Sequence, residues 1–211
     1  QKTILQGLQV GFEAVGLPMP DRETALSIVG RSLDEAFLDL VGPEHQDKIP
    51  VMSNAYKQAK WSRRREGLDL DPLYPGAREA IIRLNARDDV LLGIATGKAM
   101  RGVTHMLDTH DLHGRFVTVQ TADTSPSKPH PDMVLRAMAE TGADRTRTIM
   151  IGDTGFDMAM AKAAGTHALG VAWGYHDHDR LSADGADKII QIYAELDLAL
   201  GELLDFDKET M

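Results

Sequence analysis

Two acidic side chains, Asp153 and Asp157, follow a short apolar run that is typical of a buried strand. The run is Thr148–Ile151, and Gly152 after it allows the backbone to turn sharply. Open α/β sheets place ligand chemistry at the carboxyl ends of their strands, where Asp153 would project. Two carboxylates at such a position predict a hard, oxygen-rich site suited to Mg²⁺. The alternative is that Asp153 only caps a helix beginning near Gly155, because aspartate is a favoured capping residue.

Two further strand ends carry polar groups that could bind an anion. A predicted strand ends in Thr96-Gly97-Lys98, where a hydroxyl and backbone N–H groups at a helix start would cradle an anion. Taken alone, Thr-Gly is also an ordinary turn. Lys128 lies in a proline-rich loop and would present one ammonium to a phosphate or to carboxylates, or else it is a solvated surface lysine. One threonine, one lysine and two aspartates on successive strand ends together predict a site for a phosphate and Mg²⁺.

The spacing of apolar residues divides the chain into two parts. Residues 1–70 have the pattern of helices only, as with Ile4, Leu8 and Phe12 on one face, and a long helix is predicted from Glu44 to Arg65. After a proline-containing hinge, short apolar runs alternate with helical patterns. The predicted strands are Val90–Ala95, Phe116–Gln120, Thr148–Ile151, His167–Val171 and Lys188–Ile190. Repeated βα units predict an α/β fold with a parallel sheet and right-handed crossovers.

Composition excludes several classes of protein. The 211 residues are 43% hydrophobic and 26% charged, which is ordinary for one large or two small globular domains. A net charge of −9 argues against nucleic acid or an anionic membrane as a partner. No apolar run approaches the roughly 18 residues of a membrane span. The chain has no cysteine, which excludes disulfides and thiolate metal sites and suits a reducing cytoplasm.

The same polar residues match a known set of motifs. Ala95-Thr96-Gly97, Lys128-Pro129-His130-Pro131 and Ile151–Asp157 resemble, in order and spacing, motifs II, III and IV of the haloacid dehalogenase-like phosphohydrolases. Val171–Tyr175, followed by Gly185–Asp187, resembles the phosphoglycolate phosphatase branch. The resemblance implies an α/β fold, a parallel Rossmann-like sheet core with an inserted all-helical cap domain. We expect the cap at residues 1–72 and the core at residues 73–211.

The resemblance also implies a role for each site residue. Thr96 and the Gly97 amide would bind the transferring phosphoryl oxygens, and Lys128 would neutralise charge on the nucleophile and the phosphate. Asp153 would bind Mg²⁺, and Asp157 would orient Lys128 or a metal-bound water. Thr96, Lys128 and Asp157 are thus the expected catalytic residues. Arg31, at a turn between cap helices, could reach a substrate carboxylate, although a solvated turn arginine fits the pattern as well.

One motif of the family is missing from the sequence. Members carry Asp-x-Asp-Gly-Thr on a first strand, where the first Asp is the nucleophile and the second is the general acid/base. This sequence has no aspartate before Asp21, so we expect the first core strand to be absent and the 211 residues alone to be inactive. The family places that strand between the strands of motifs II and IV, where its removal would leave unpaired backbone groups. A short N-terminal piece is expected to supply it, and a natural truncation is the alternative.

The resulting hypothesis is a cytoplasmic, Mg²⁺-dependent phosphatase that hydrolyses a small, phosphoglycolate-like metabolite through an aspartyl-phosphate intermediate. A phosphosugar mutase of the same family is the closest alternative, and a catalytically dead binding domain is the alternative if the chain starts at Gln1. The alternation in His176-Asp177-His178-Asp179 is a poor match to zinc, because it directs the side chains to different sides of a loop. The sequence indicates neither the physiological substrate nor the oligomeric state.

Overall fold

The structure, a computed structural model, describes residues 1–68 and 71–205 of the chain. The chain divides between Pro72 and Leu73 into two compact units. The regular structure described in the first unit consists of helices, as the apolar spacing predicts. They are α1 (Lys2–Glu13), α2 (Arg22–Ser27), α3 (Leu33–Val41) and α4 (Ile49–Arg65), with a 3₁₀-helix at Pro43–Lys48 before α4.

The long helix of the first unit begins later than predicted. The α-helical part starts at Ile49, whereas the sequence pattern predicted a start at Glu44. His45 has φ −116° and ψ 19°, outside the helical range, within the preceding 3₁₀ segment. Pro50 explains the difference, because proline lacks an N–H and is tolerated only in the first turn of an α-helix. A helix beginning at Glu44 would place Pro50 inside it.

Two glycines allow α1 to pack closely in the core of the first unit. A Cβ atom at Gly7 would lie 2.6 Å from the ring of Tyr56 on α4. A Cβ atom at Gly11 would lie 2.7 Å from Phe37 and 3.2 Å from the carbonyl oxygen of Met52. Phe37 and Met52 are fully buried, so neither can move aside cheaply.

The second unit alternates strands and helices, and every described strand pairing in it is parallel. This confirms the predicted α/β fold class. The strands are β1 (Gly93–Thr96), β2 (Thr118–Thr121), β3 (Ile149–Gly152), β4 (His167–Val171) and β5 (Lys188–Ile190). The helices are α5 (Ala77–Asn85), α6 (Met100–His110), α7 (Asp132–Thr141), α8 (Gly155–Ala164), α9 (His178–Ala183) and α10 (Leu196–Asp205).

The strand positions agree closely with the sequence pattern at the end of the chain and less closely before it. β4 and β5 have the predicted bounds. β1 begins three residues later than predicted, because its pairing with β2 starts at Gly93 opposite Thr118. The residues before Gly93 are apolar enough to predict a strand, but they precede the ladder.

The described strands form two sheets, one with the order β1-β2 and one with the order β3-β4-β5. The same helices cover both sheets, since Ala95 of β1 and Met150 of β3 pack against one apolar cluster. The cluster comprises Met133 and Val134 of α7 and Met160 and Ala164 of α8. β1 and β3 therefore border the gap between the sheets. Within residues 71–205, each of these two strands is paired on one side only.

One-sided pairing also leaves β3 less buried than its apolar sequence predicts. Ile151 keeps 37% of its surface exposed, although a strand covered on both faces was expected.

Among the helices that the structure describes, none has both the length and the apolar character needed to cross a bilayer.

The close packing of α1 can be tested with an added methyl group. We expect Gly11→Ala to lower the free energy of unfolding by about 1–2 kcal/mol, because overpacking against Phe37 exceeds the gain in helix propensity. Gly201→Ala is the matched control, because Gly201 lies on α10 and the added Cβ has nothing within 4 Å beyond its chain neighbours and the backbone of its own helix. It should stabilise by about 0.5–1 kcal/mol. Urea denaturation of both variants measures the difference, and equal stabilisation would contradict the packing described.

Candidate active site

Asp153, Thr154 and Asp157, in the turn between β3 and α8, make different contacts. Thr154 is the N-cap residue of α8, and its hydroxyl accepts a hydrogen bond from the Asp157 amide. The Asp157 carboxylate accepts in return from the Thr154 amide, at 3.1 Å, and from the Thr154 hydroxyl, at 2.7 Å. This reciprocal arrangement is a capping box. Asp153 is therefore not the helix cap, and the alternative reading of Asp153 from the sequence is wrong.

Lys128 and Asp157 form a buried ion pair. The Lys128 Nζ lies 2.5 Å from the Asp157 Oδ1, and the two side chains are 7% and 4% exposed. The alternative of a solvated surface lysine is thereby excluded. Asp157 uses one carboxylate oxygen for Lys128 and the other for Thr154, so its negative charge is compensated on both sides. The part of Asp157 in orienting Lys128 for catalysis stays a prediction.

Asp153 lies close enough to this pair for the charges of both Asp157 and Lys128 to act on its carboxyl. Burial, and then the negative charge of Asp157, raise the pKa of the Asp153 carboxyl above its ordinary value. The charge of Lys128 and a hydrogen bond from the Tyr175 amide oppose this rise only in part. Asp153 is thus a partly buried carboxylate with too little positive charge around it. A hard divalent cation would supply that charge, so the donor chemistry fits Mg²⁺.

The loop after β4 forms one wall of the site. Gly152 pairs with Gly170 at the ends of β3 and β4, which brings the segments that follow side by side. A Cβ atom at Gly174 would lie 2.1 Å from the Asp153 Cβ, so only glycine fits there. The sequence pattern did not identify this wall as part of the site. The only signal for it was the resemblance of Val171–Tyr175 to the phosphoglycolate phosphatase branch.

Aromatic side chains extend the same wall. The rings of Trp173 and Tyr193 lie 4.6 Å apart between centroids, and both side chains are half-buried. Burial and the charge of Asp153 raise the pKa of Tyr193 and also that of Tyr74. Both phenols are therefore within electrostatic reach of the carboxylate. None of these three residues is assigned to the site by the sequence pattern.

Thr96 and Gly97 lie at the carboxyl end of β1, as predicted. The Thr96 Oγ1 accepts a hydrogen bond from the Lys98 amide at 3.1 Å, and the hydroxyl still carries a hydrogen that it can donate. Helix α6 begins shortly after, and its Met100 amide donates to the Asp123 carboxylate at 2.5 Å. Asp123, which follows β2, was missed by the sequence analysis. It connects the ends of β1 and β2 and is favourably placed at a helix N-terminus.

Arg31 is engaged with acids of the first unit. Its Nε donates to Asp39 at 2.9 Å, and its Nη2 donates to Glu35 at 3.2 Å. Only 15% of the Arg31 side chain is exposed, so the alternative of a solvated turn arginine does not describe it. Substrate binding by Arg31 stays a prediction.

Two residues of the His-Asp-His-Asp segment accept hydrogen bonds from amides at the starts of two helices. His176 accepts a hydrogen bond from the Gly155 amide at the start of α8. Asp177 is the N-cap residue of α9 and accepts from the Arg180 amide at 2.8 Å. Over the described ranges, 1–68 and 71–205, no group of three or more His, Cys, Asp or Glu side chains is arranged to hold a metal. Asp153 therefore stands as the single predicted metal ligand among those residues.

Comparison with known proteins gives consistent relatives. A family model described as haloacid dehalogenase-like hydrolase matches residues 1–171. The "Probable phosphatase IndB" of Dickeya dadantii is 33% identical over 197 residues, covering 92% of this chain and 84% of the relative. The phosphoglycolate phosphatase of Photobacterium profundum is 27% identical over 175 residues, covering 80% and 72%.

A solved structure supports the same fold. The crystal structure of a predicted phosphatase from Clostridium acetobutylicum aligns with a TM-score of 0.80 at 20% identity, covering 95% of this chain and 91% of that one. At this identity the likeness shows the fold alone. It confirms the expected fold class, a Rossmann-like parallel core with a helical cap.

The buried pair predicts a large effect of removing the lysine. We expect Lys128→Met to lower the free energy of unfolding by about 3–5 kcal/mol, because Asp157 would remain buried without its cation. Lys162→Met is the matched control, since Lys162 pairs with Asp187 on the surface with 44% of its side chain exposed. It should cost less than about 1 kcal/mol. Chemical denaturation at pH 7 measures both, and similar losses would show that the Lys128 pair contributes nothing special.

The raised pKa of Asp153 predicts a pH-dependent gain from removing its charge. A carboxyl whose pKa is higher in the folded state binds its proton more tightly there than in the unfolded chain. Above that folded-state pKa the charged group destabilises the fold, and below the ordinary value of 3.8 it is protonated in both states. Without divalent cations, Asp153→Asn should therefore raise the melting temperature at pH 7, and the gain should shrink as the pH falls toward 3.8. A gain that is constant with pH would contradict this assignment.

Proposed function

Since this chain belongs to the family of haloacid dehalogenase-like hydrolases, we propose that it is a Mg²⁺-dependent phosphatase acting on a small phosphorylated metabolite. The observation that carries the proposal is the buried Lys128–Asp157 pair next to the undercompensated carboxylate of Asp153. Phosphoryl transfer depends on fixed positive charge and on positioning, and this arrangement is suited to both. The names of the relatives support phosphatase chemistry.

Each site residue has a part in this proposal. Asp153 holds the Mg²⁺, and the Lys128 ammonium, kept in place by Asp157, faces the charge of the phosphoryl group. Thr96 donates its hydroxyl hydrogen to a phosphoryl oxygen, and the Gly97 amide contacts another. When bound, Mg²⁺ would neutralise charge that develops on the transferring group.

A nucleophile completes the proposal. The carboxylate of an Asp-x-Asp motif attacks phosphorus, the bond from phosphorus to the leaving oxygen breaks, and the second Asp protonates that oxygen. The second Asp then accepts a proton from water, which hydrolyses the aspartyl-phosphate. We place this motif on a strand between β1 and β3, because both border the gap between the sheets and are paired on one side only. No residue within the described ranges fills that position.

The substrate is proposed to be phosphoglycolate-like, a small phosphate ester that also carries a carboxylate. The phosphoglycolate phosphatase among the relatives supports this choice. Residues 1–72 would form the cap domain and residues 73–211 the core, and Arg31 would bind the substrate carboxylate. We place the enzyme in the cytoplasm, in keeping with a chain that has no cysteine.

Intact mass and an activity assay test the proposal in that order. A purified protein heavier than 23.1 kDa by a strand and its motif would carry the nucleophile. With Mg²⁺ it should hydrolyse p-nitrophenyl phosphate and 2-phosphoglycolate, and Asp153→Asn should lower kcat by roughly 100-fold or more. Asp89→Asn, which changes a surface pair with Arg87, is the control and should leave kcat unchanged.

Other outcomes would favour other functions. A requirement for a sugar bisphosphate activator would indicate a phosphosugar mutase. A mass of 23.1 kDa without turnover would exclude hydrolysis by this mechanism for that polypeptide, leaving a binding domain. Full activity of Asp153→Asn would overturn the proposed site.

A further inference from the structure

Three consecutive residues of the loop after β4 contact the turn that carries Asp153. Gly174 packs against the Asp153 side chain, and the Tyr175 amide donates to the Asp153 carboxylate. The His176 amide donates to the Asp153 carbonyl oxygen at 3.1 Å. The backbone and the side chain of Asp153 are thus both held by this loop.

The imidazole of His176 makes the next contact. Its Nδ1 accepts a hydrogen bond from the Gly155 amide at 2.9 Å, and its ring lies against Phe156, with centroids 5.5 Å apart. The residue is 8% exposed. Because an amide can only donate, Nδ1 must be the unprotonated nitrogen, and a neutral ring then carries its hydrogen on Nε2. The Gly155 amide is the first of helix α8 and has no partner within the helix.

A neutral acceptor suits this position electrostatically. Asp153 and Asp157 lie on either side of Gly155, and the Asp184 carboxylate packs against the Gly155 α-carbon. An aspartate that capped the same amide would add a further negative charge to this group. A histidine nitrogen satisfies the amide without that charge.

We propose that His176 is a positioning residue for Asp153. Its backbone amide holds the Asp153 carbonyl and its imidazole holds the Gly155 amide, so that the turn on both sides of Thr154, and with it the Asp153 carboxylate, is fixed. The inference rests on the proposed function in one respect, that Asp153 binds the divalent cation. Groups that orient a metal ligand typically change metal affinity when they are lost, even though they do not touch the metal.

A pair of substitutions at His176 tests the proposal. His176→Asn keeps an acceptor oxygen near the position of Nδ1, whereas His176→Phe keeps a ring but has no acceptor. The probe is Mn²⁺ alone, titrated against the purified protein and followed by paramagnetic relaxation of water protons. We expect His176→Phe to raise the Mn²⁺ dissociation constant about tenfold or more, and His176→Asn to stay within about threefold of wild type. His113→Phe, at an exposed histidine paired with Asp108, is the control and should bind as wild type.

The outcomes separate this inference from the proposed function. If Asp153→Asn abolishes Mn²⁺ binding but His176→Phe binds as wild type, His176 does not position Asp153 and the inference fails alone. If Asp153→Asn binds as wild type, the metal site of the proposed function fails. The inference is then tested by the ¹³C chemical shift of the Asp153 carboxyl carbon. This chemical shift should change in His176→Phe and stay as in wild type in His176→Asn.

A measurement on the wild-type protein covers the case in which His176→Phe does not fold. Nitrogen NMR of the imidazole should show the hydrogen on Nε2, with the Gly155 amide proton protected from exchange. A ring protonated at Nδ1, or a rapidly exchanging Gly155 amide, would overturn the proposal.

Discussion

The buried ion pair between Lys128 and Asp157 is the constraint on which the rest of the site depends. Neither charge could remain in the interior without the other, because desolvation costs more than an isolated ion can recover. The pair joins the loop after β2 to the first turn of α8, and so connects the two sheets at their carboxyl edges. Any arrangement that separated the sheets there would leave two buried charges apart.

The pair also determines what the neighbouring residues are able to do. Asp157 is committed to Lys128 and to the capping box with Thr154. Since Thr154 caps the helix, Asp153 is not needed for that purpose, and burial beside Asp157 leaves it short of positive charge. Two acids of the same type, four positions apart, thus have different surroundings: Asp157 is paired, and the pKa of Asp153 is raised.

Apolar packing of α7 and α8 stabilises the same region. Methionines and small residues of α7 and α8 form one cluster that contacts both sheets, so the sheets share a layer of helices although they share no strand pairing in the described ranges. In the proposed function a further strand lies between β1 and β3, and the one-sided pairing of both strands and the exposure of Ile151 support that placement.

The sequence by itself determined the element types, the parallel α/β class and the order of the motifs at the strand ends. These features follow from the sequence because apolar periodicity and turn residues act over a few neighbouring positions. The start of α4 is of the same kind, since Pro50 by itself restricts where that helix can begin. Only the tertiary structure showed that Thr154, and not Asp153, is the N-cap residue of α8, and that Asp157 pairs with Lys128. It also showed that His176 and Gly174 contact the turn around Asp153, that Asp123 accepts from the Met100 amide, and that Arg31 is engaged by Asp39. Those assignments depend on distances between segments far apart in the chain, and on the cost of burying charge, which no local pattern records.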